Sequence, residues 1–245
     1  MSDLGADLPK ERKQMATAVV IDDTLTIPGC DGLAGFRGWT RSPGFPSTCR
    51  IDWIAGSIEV DISPENLFTH GTLKTEIAAK IYARVRAADL GEVFIDRTRL
   101  VCPVADLSVE PDVVFVSHAA VETGRVRFVP AAAGQAGGFI EVEGAADLVV
   151  EILSDSSVGK DTRRLPEAYA KAGVGELWLI DARRCGSGDE QPEFRLLTLE
   201  AGRFAAAAEL AGRPVSPSLG GTVRLTKTMT QRGLPRYDLE IRDGS

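Results

Sequence analysis

Leu148-Val149-Val150-Glu151-Ile152-Leu153-Ser154 is the most apolar run in the chain, and one carboxylate stands in its middle. An apolar run this short, bounded by polar residues, reads as a strand buried on both faces. An ionised carboxylate inside such a strand costs several kcal/mol of desolvation unless a cation or hydrogen-bond donors compensate it. Side chains alternate along a strand, so Glu151 shares its face with Val149 and Leu153, and the backbone carbonyl of Ile152 lies beside it.

Upstream, Pro111-Asp112-Val113-Val114-Phe115-Val116 reads as a second central strand opened by an acid. If the two strands are neighbours, Asp112 and Glu151 converge at one sheet edge. Two carboxylates and the Ile152 carbonyl would then offer hard oxygen ligands, which suit Mg2+ and also Mn2+. Such a metal would acidify a bound water and offset charge on a phosphoryl group, with Lys160, the nearest downstream lysine, orienting the nucleophile. The plainer alternative stays open: an Asp after Pro often forms a turn, and a strand Glu can face solvent or an arginine.

Around this pair the pattern alternates strands with helices. Ile51–Ile54 and Ser57–Val60 flank Ala55-Gly56 as a hairpin. Leu73, Ile77, Ile81 and Val85 recur at helical spacing, with Thr69 or Thr72 as the cap and Gly91 beyond the end. Residues 93–101 read as one strand, 131–138 as a low-complexity loop and 139–143 as a strand. A helix is expected over 162–172, with Pro166 near its first turn and Gly173 at its C-terminal stop, followed by a strand at 177–180 in which Trp178 packs in the core. Short strands at 193–199, 203–209 and 222–226 close the pattern. The reading gives an N-terminal extension over 1–49 with short strands at 17–21 and 24–27, one domain over 50–228, and a tail over 229–245.

Composition bounds the function classes. With 44% hydrophobic and 26% charged residues in 245, the chain reads as a folded globular protein. No apolar run is long enough to cross a bilayer, which leads to the expectation of a cytoplasmic protein without a membrane partner. The four cysteines are widely spaced and make no zinc pattern. A net charge of -7 argues against a protein that coats nucleic acid, yet leaves room for local basic groups at a nuclease site. Ser154, Ser156 and Ser157 lack a nucleophile elbow, and capping the next helix suits them better.

Three ordered motifs carry a resemblance: Pro111–Val116, Leu148–Ser154 and Ala168-Tyr169-Ala170-Lys171-Ala172-Gly173-Val174-Gly175-Glu176-Leu177-Trp178-Leu179-Ile180-Asp181. Through them the chain, over about residues 50–226, resembles the Uma family of restriction-endonuclease-like proteins in the PD-(D/E)xK nuclease superfamily. The resemblance implies an α/β (α+β) restriction-endonuclease-like fold, a mixed central sheet flanked by helices with additional antiparallel strands. It also implies Asp112 and Glu151 as metal-binding carboxylates, with His70 and Glu76 near the site as accessory groups. The chain departs from the family at one telling place: four residues before Tyr169, where a lysine is usual, stands Leu165, and Leu153 occupies the lysine of the superfamily E-x-K spacing. Lys160, or Arg164, would have to deliver the cation instead.

The leading expectation is a metal-dependent endonuclease that hydrolyses phosphodiesters, with DNA the expected nucleic acid and a homodimer the expected form if both strands are cut. A different class, a nuclease-fold module that binds nucleic acid or a protein without turnover, is the alternative that Leu165 invites. A serine hydrolase acting through Ser154–Ser157 is the third.

Overall fold

The computed structural model describes residues 26–46, 49–131, 138–155, 157–186 and 188–244. The expected strand at 17–21, the first half of that at 24–27, most of the loop at 131–138, and Ser156 lie outside them. In chain order the elements are α1 (Gly32–Thr40), β1 (Arg50–Ile54), β2 (Ser57–Asp61), α2 (Leu73–Ala87), β3 (Gly91–Ile95), β4 (Arg99–Cys102), β5 (Leu107–Val109) and β6 (Val113–Ser117). There follow α3 (His118–Glu122), β7 (Val126–Pro130), β8 (Phe139–Gly144), β9 (Leu148–Ile152), α4 (Leu165–Ala172) and β10 (Glu176–Asp181). The chain closes with β11 (Glu193–Glu200), β12 (Arg203–Ala206), β13 (Glu209–Leu210), β14 (Arg213–Ser216), β15 (Gly221–Met229) and β16 (Pro235–Asp243).

Two six-stranded mixed sheets carry the architecture. One runs β2-β1-β5-β4-β8-β7 and the other β12-β11-β10-β9-β6-β3, while β13 to β16 form a four-stranded antiparallel sheet. The apolar runs sit where periodicity places them: β9 is central, parallel to β10 and antiparallel to β6. One face of its sheet, with Val114, Val149, Leu177 and Leu179, packs with Leu100, Leu107 and Val142 of the other sheet and with Leu165 and Tyr169 of α4. The opposite face, with Val113, Phe115, Val150 and Trp178, packs on Leu73, Ile77 and Ile81 of α2 and on Leu239 of β16. Fully burying side chains of this size stabilises by roughly 1.5–3 kcal/mol each. A third cluster joins Phe36 of α1 to Ile51 and Trp53 of β1.

Three expectations are corrected. Residues 93–101 are two strands of two different sheets, because Asp96 (φ 25°) and Arg97 (φ 55°) turn the chain between β3 and β4. Residues 229–245 are not a tail: β16 pairs with β15 along its whole length, and Leu239 and Tyr237 are buried. Neither Thr69 nor Thr72 caps α2 with its side chain; Asn66 accepts from the amides of Phe68 and Thr69 at the head of a π-helical turn, Leu67–Thr72, that runs into α2. Gly91 opens β3 at φ 154°, where a Cβ would lie 2.1 Å from the Val116 carbonyl oxygen, so close pairing with β6 excludes any side chain. Among the described residues no helix is long and apolar enough to cross a membrane.

Candidate active site

The antiparallel register pairs Val113 with Val150. Continued by one residue, it sets Asp112 across from Glu151 at the end of β6. Both carboxylates are nearly dry, at 4% and 1% exposure. Asp112 Oδ2 accepts the backbone N–H of Ile152 at 2.7 Å, so this strand pair itself orients the acid. Glu151 Oε1 accepts the Tyr169 hydroxyl at 2.6 Å, and its Oε2 faces Arg50 at 3.4 Å. α4 reaches the site through Tyr169, while Leu165, one turn earlier, is wholly buried in the core between the sheets.

Around Asp112 the π-helical turn and α2 supply a second set of groups. His70 Nε2 lies 3.6 Å from Asp112 Oδ2, and its Nδ1 lies 3.3 Å from Glu65 Oε2. Lys74 holds Glu65 and Asp96 at 2.8–3.1 Å and lies 3.8 Å from Asp112. Glu65, His70 and Asp112 each present a donor atom within 4.8 Å of the others, and among the described residues no other group of acids, histidines and cysteines does so. These side chains, with Arg50, Lys74, Glu110, Ile152 and Ser154, line an open cleft of about 410 Å³.

Behind this cleft lies a buried ionic chain. Asp52 of β1 accepts Lys160 at 2.9 Å and the amide of Glu110 at 3.0 Å, and Arg50 Nε stands 3.3 Å from the same acid. Burial works to raise the Asp52 carboxyl, and the charges of Arg50 and Lys160 outweigh it and hold it below the usual range. Glu151 goes the other way. Burial dominates, and the nearby charges of Asp161 and Asp112 add to it, so despite Arg50 its pKa is pushed up to about 8. Burial likewise raises Asp161, whose Oδ1 has no hydrogen-bond partner although Ser157 donates to its Oδ2.

The sequence-predicted residues divide accordingly. Asp112, Ile152 and His70 line the cleft, and Glu151, across the strand pair from Asp112, is buried beside it. Lys160 is adjacent but turned to Asp52, and it lines a separate small cavity with Glu59 and Asp61. Arg164 is taken by Glu59 and the Ile54 carbonyl on the β1–β2 hairpin. Glu76 accepts the Leu239 amide at 3.0 Å, fastening α2 to β16 rather than serving the cleft. Arg50, Asp52, Glu65, Lys74 and Tyr169 were not singled out as site groups from spacing. Arg50 and Asp52 sit in a hairpin that the pairing of β1 with β5 carries inward, whereas Glu65, after β2, stays exposed at the cleft mouth.

The donor set fits a divalent cation. The buried His70 Nδ1 has no hydrogen-bond partner, and Glu151 is an acid that burial keeps short of compensating charge. Glu65, His70 and Asp112 would hold the ion, with Glu151 at the edge of the set.

The family model Uma2, described as "Putative restriction endonuclease", matches residues 36–204. A crystal structure of a "putative nuclease belonging to DUF820" from Anabaena variabilis aligns with a TM-score of 0.53 at 17% identity, covering 77% of this chain and 90% of that one. At that identity the likeness concerns the fold, which is restriction-endonuclease-like. No curated protein matches.

Proposed function

The chain belongs to the Uma2 family, and on that premise we propose that it is a metal-dependent endonuclease that hydrolyses phosphodiester bonds of nucleic acid, DNA foremost. The observation that carries the reading is the meeting of Glu65, His70 and Asp112 beside the buried Glu151 in one open cleft. A bound Mg2+ or Mn2+ would supply Lewis-acid activation of water and neutralise charge on the phosphoryl group. An imidazole in the set favours Mn2+ over Mg2+, which prefers oxygen and water ligands.

The protein's own groups divide the remaining work. Ile152 N–H fixes Asp112, and Tyr169 fixes Glu151, so neither acid has to reorient on binding. Glu151, holding its proton until about pH 8 in the metal-free protein, is available to hold or release a proton near neutrality. The cleft is open to solvent and admits an extended backbone.

The test is cleavage of supercoiled plasmid and of labelled duplex and single-stranded oligonucleotides across Mg2+ and Mn2+ titrations. Cleavage by wild type that Asp112→Asn and Glu151→Ala abolish supports the proposal. Variants that cut as fast as wild type would point to a contaminant, and nucleic-acid binding without cleavage at any metal concentration would favour the silent binding module.

A further inference from the structure

Leucine stands at both positions where a lysine would be sought, Leu153 and Leu165, so some other cation must face the phosphoryl group if the cleft is a nuclease site. Arg97 lies on the exposed rim of the cleft, while three cations interact with Asp112 or Glu151 themselves, and their contacts separate them. Lys160, with a side chain 9% exposed, donates to Asp52, lies 3.8 Å from Asp161 and lines the other cavity. Lys74, 10% exposed, directs its ammonium at both oxygens of Glu65 and at Asp96, contacts that match its three donors. Arg50 differs from both. Its side chain is 25% exposed and lines the cleft, and its single side-chain hydrogen bond among the described residues is the long 3.4 Å contact to Glu151. Its buried Nε stands 3.3 Å from Asp52 without making a hydrogen bond.

We propose that Arg50 is the catalytic cation of this cleft, a guanidinium that donates to a non-bridging oxygen of the scissile phosphate in place of the absent lysine. The assignment rests on the nuclease reading above. Position and electrostatics support it. Arg50 begins β1, whose pairing with β5 brings it over the β6–β9 edge where Asp112 and Glu151 lie. Asp52, fixed by Lys160 and the Glu110 amide, braces the arginine from behind. The pair Asp52–Lys160 therefore acts through Arg50: Lys160 takes the hydrogen bond of Asp52 at 2.9 Å, while Arg50 Nε stands off at 3.3 Å, so the acid positions the arginine without holding its fork. Burial works against the charged guanidinium, and the acids Asp52, Glu151, Asp112 and Asp161 outweigh it and keep it protonated. Arg50 thus transfers no proton. The water oxygen forms the new P–O bond and gives its proton to a carboxylate or to solvent, the P–O bond to the leaving oxygen breaks and that oxygen takes a proton from solvent, and the planar fork stabilises the added negative charge on the equatorial oxygens.

The experiment compares wild type, Arg50→Ala, Arg50→Lys and Lys160→Ala by single-turnover cleavage at saturating Mn2+, with Mn2+ affinity measured by titration calorimetry without nucleic acid. The expected result is a loss of about 10²- to 10³-fold for Arg50→Ala, the scale for one transition-state donor, with partial recovery in Arg50→Lys. Added guanidinium should restore part of the Arg50→Ala rate and none of any Lys160→Ala loss. Mn2+ affinity of Arg50→Ala should be unchanged or tighter, since a cation beside Glu151 is gone, and that shift separates the proposed role from general damage to the site. Arg50→Ala cutting at the wild-type rate, or a large loss confined to Lys160→Ala, overturns the assignment. If wild type cuts nothing with any metal, the nuclease reading has failed. Arg50 is then tested by inorganic phosphate binding in the same calorimeter, where Arg50→Ala should bind about tenfold more weakly and Lys160→Ala should lose less; Arg50→Ala binding phosphate as tightly as wild type would overturn the anion-binding role too.

Discussion

Replacing Glu151 by glutamine should make the metal-free protein more stable, and increasingly so as pH rises. Burial pushes the Glu151 carboxyl up to about 8 from an ordinary 4.5. A group whose folded pKa is raised contributes stability fully below its unfolded value and loses it as pH climbs through the folded one. At about 1.4 kcal/mol per pH unit, ionised Glu151 costs on the order of 3–5 kcal/mol at pH 8 and above, and almost nothing near pH 4. Glutamine keeps an acceptor for the Tyr169 hydroxyl without the charge. Thermal unfolding in EDTA, followed from pH 5 to 9, should therefore show wild type losing stability relative to Glu151→Gln, by roughly 10 °C in Tm at pH 8 for a chain of this size. Saturating Mn2+ should narrow the gap by stabilising wild type more. Parallel pH curves for the two proteins would refute the claim that Glu151 is a buried acid short of compensating charge.

Other expectations follow from the same contacts. His70→Ala should weaken Mn2+ binding by about 10- to 100-fold, read by calorimetry, while a wild-type affinity would remove His70 from the donor set. Arg97→Ala changes the guanidinium on the rim that the main cleft shares with a neighbouring cavity of about 480 Å³; it should weaken nucleic-acid binding for all sequences and lower the salt slope by about one, as fluorescence anisotropy across salt would show. Ending the chain at residue 228 removes β16 and with it the buried Tyr237 and Leu239 and the Glu76 contact; circular dichroism should report a large drop in Tm or no cooperative transition. Gly91→Ala should destabilise by several kcal/mol, on the scale of a severe backbone clash, and an unchanged urea midpoint would show that β3 can move away from β6.

The elements most easily read from the sequence were those whose apolar period is undisturbed. β6, β9, β10 and α2 are such runs, and their boundaries lie within a residue or two of expectation. Asp112 and Glu151 were legible for the same reason, as isolated charges in apolar strands whose burial has to be compensated. The split of 93–101 was missed because the apolar ends, Val93–Ile95 and Leu100–Val101, are close together and the turn between them is made by Asp96 and Arg97 without glycine or proline. β16 was missed because Pro235, Arg236 and the alternating acids suggest a solvated end, although Tyr237 and Leu239 on alternate positions face α2. Lys160 was the nearest cation in sequence; tertiary pairing gave it to Asp52 and brought Arg50, a hundred residues away from Glu151, to that acid instead.

The central claim is that Asp112 and Glu151 border a divalent-cation site. It is tested most directly by a crystal soaked in Mn2+ and measured for anomalous scattering. The account predicts a peak in the cleft, ligated by Asp112 and His70 with Glu65 or Glu151 completing the set and with Arg50 pointing into the same space. A crystal without a peak there at saturating Mn2+, or with the ion bound only elsewhere, would contradict it.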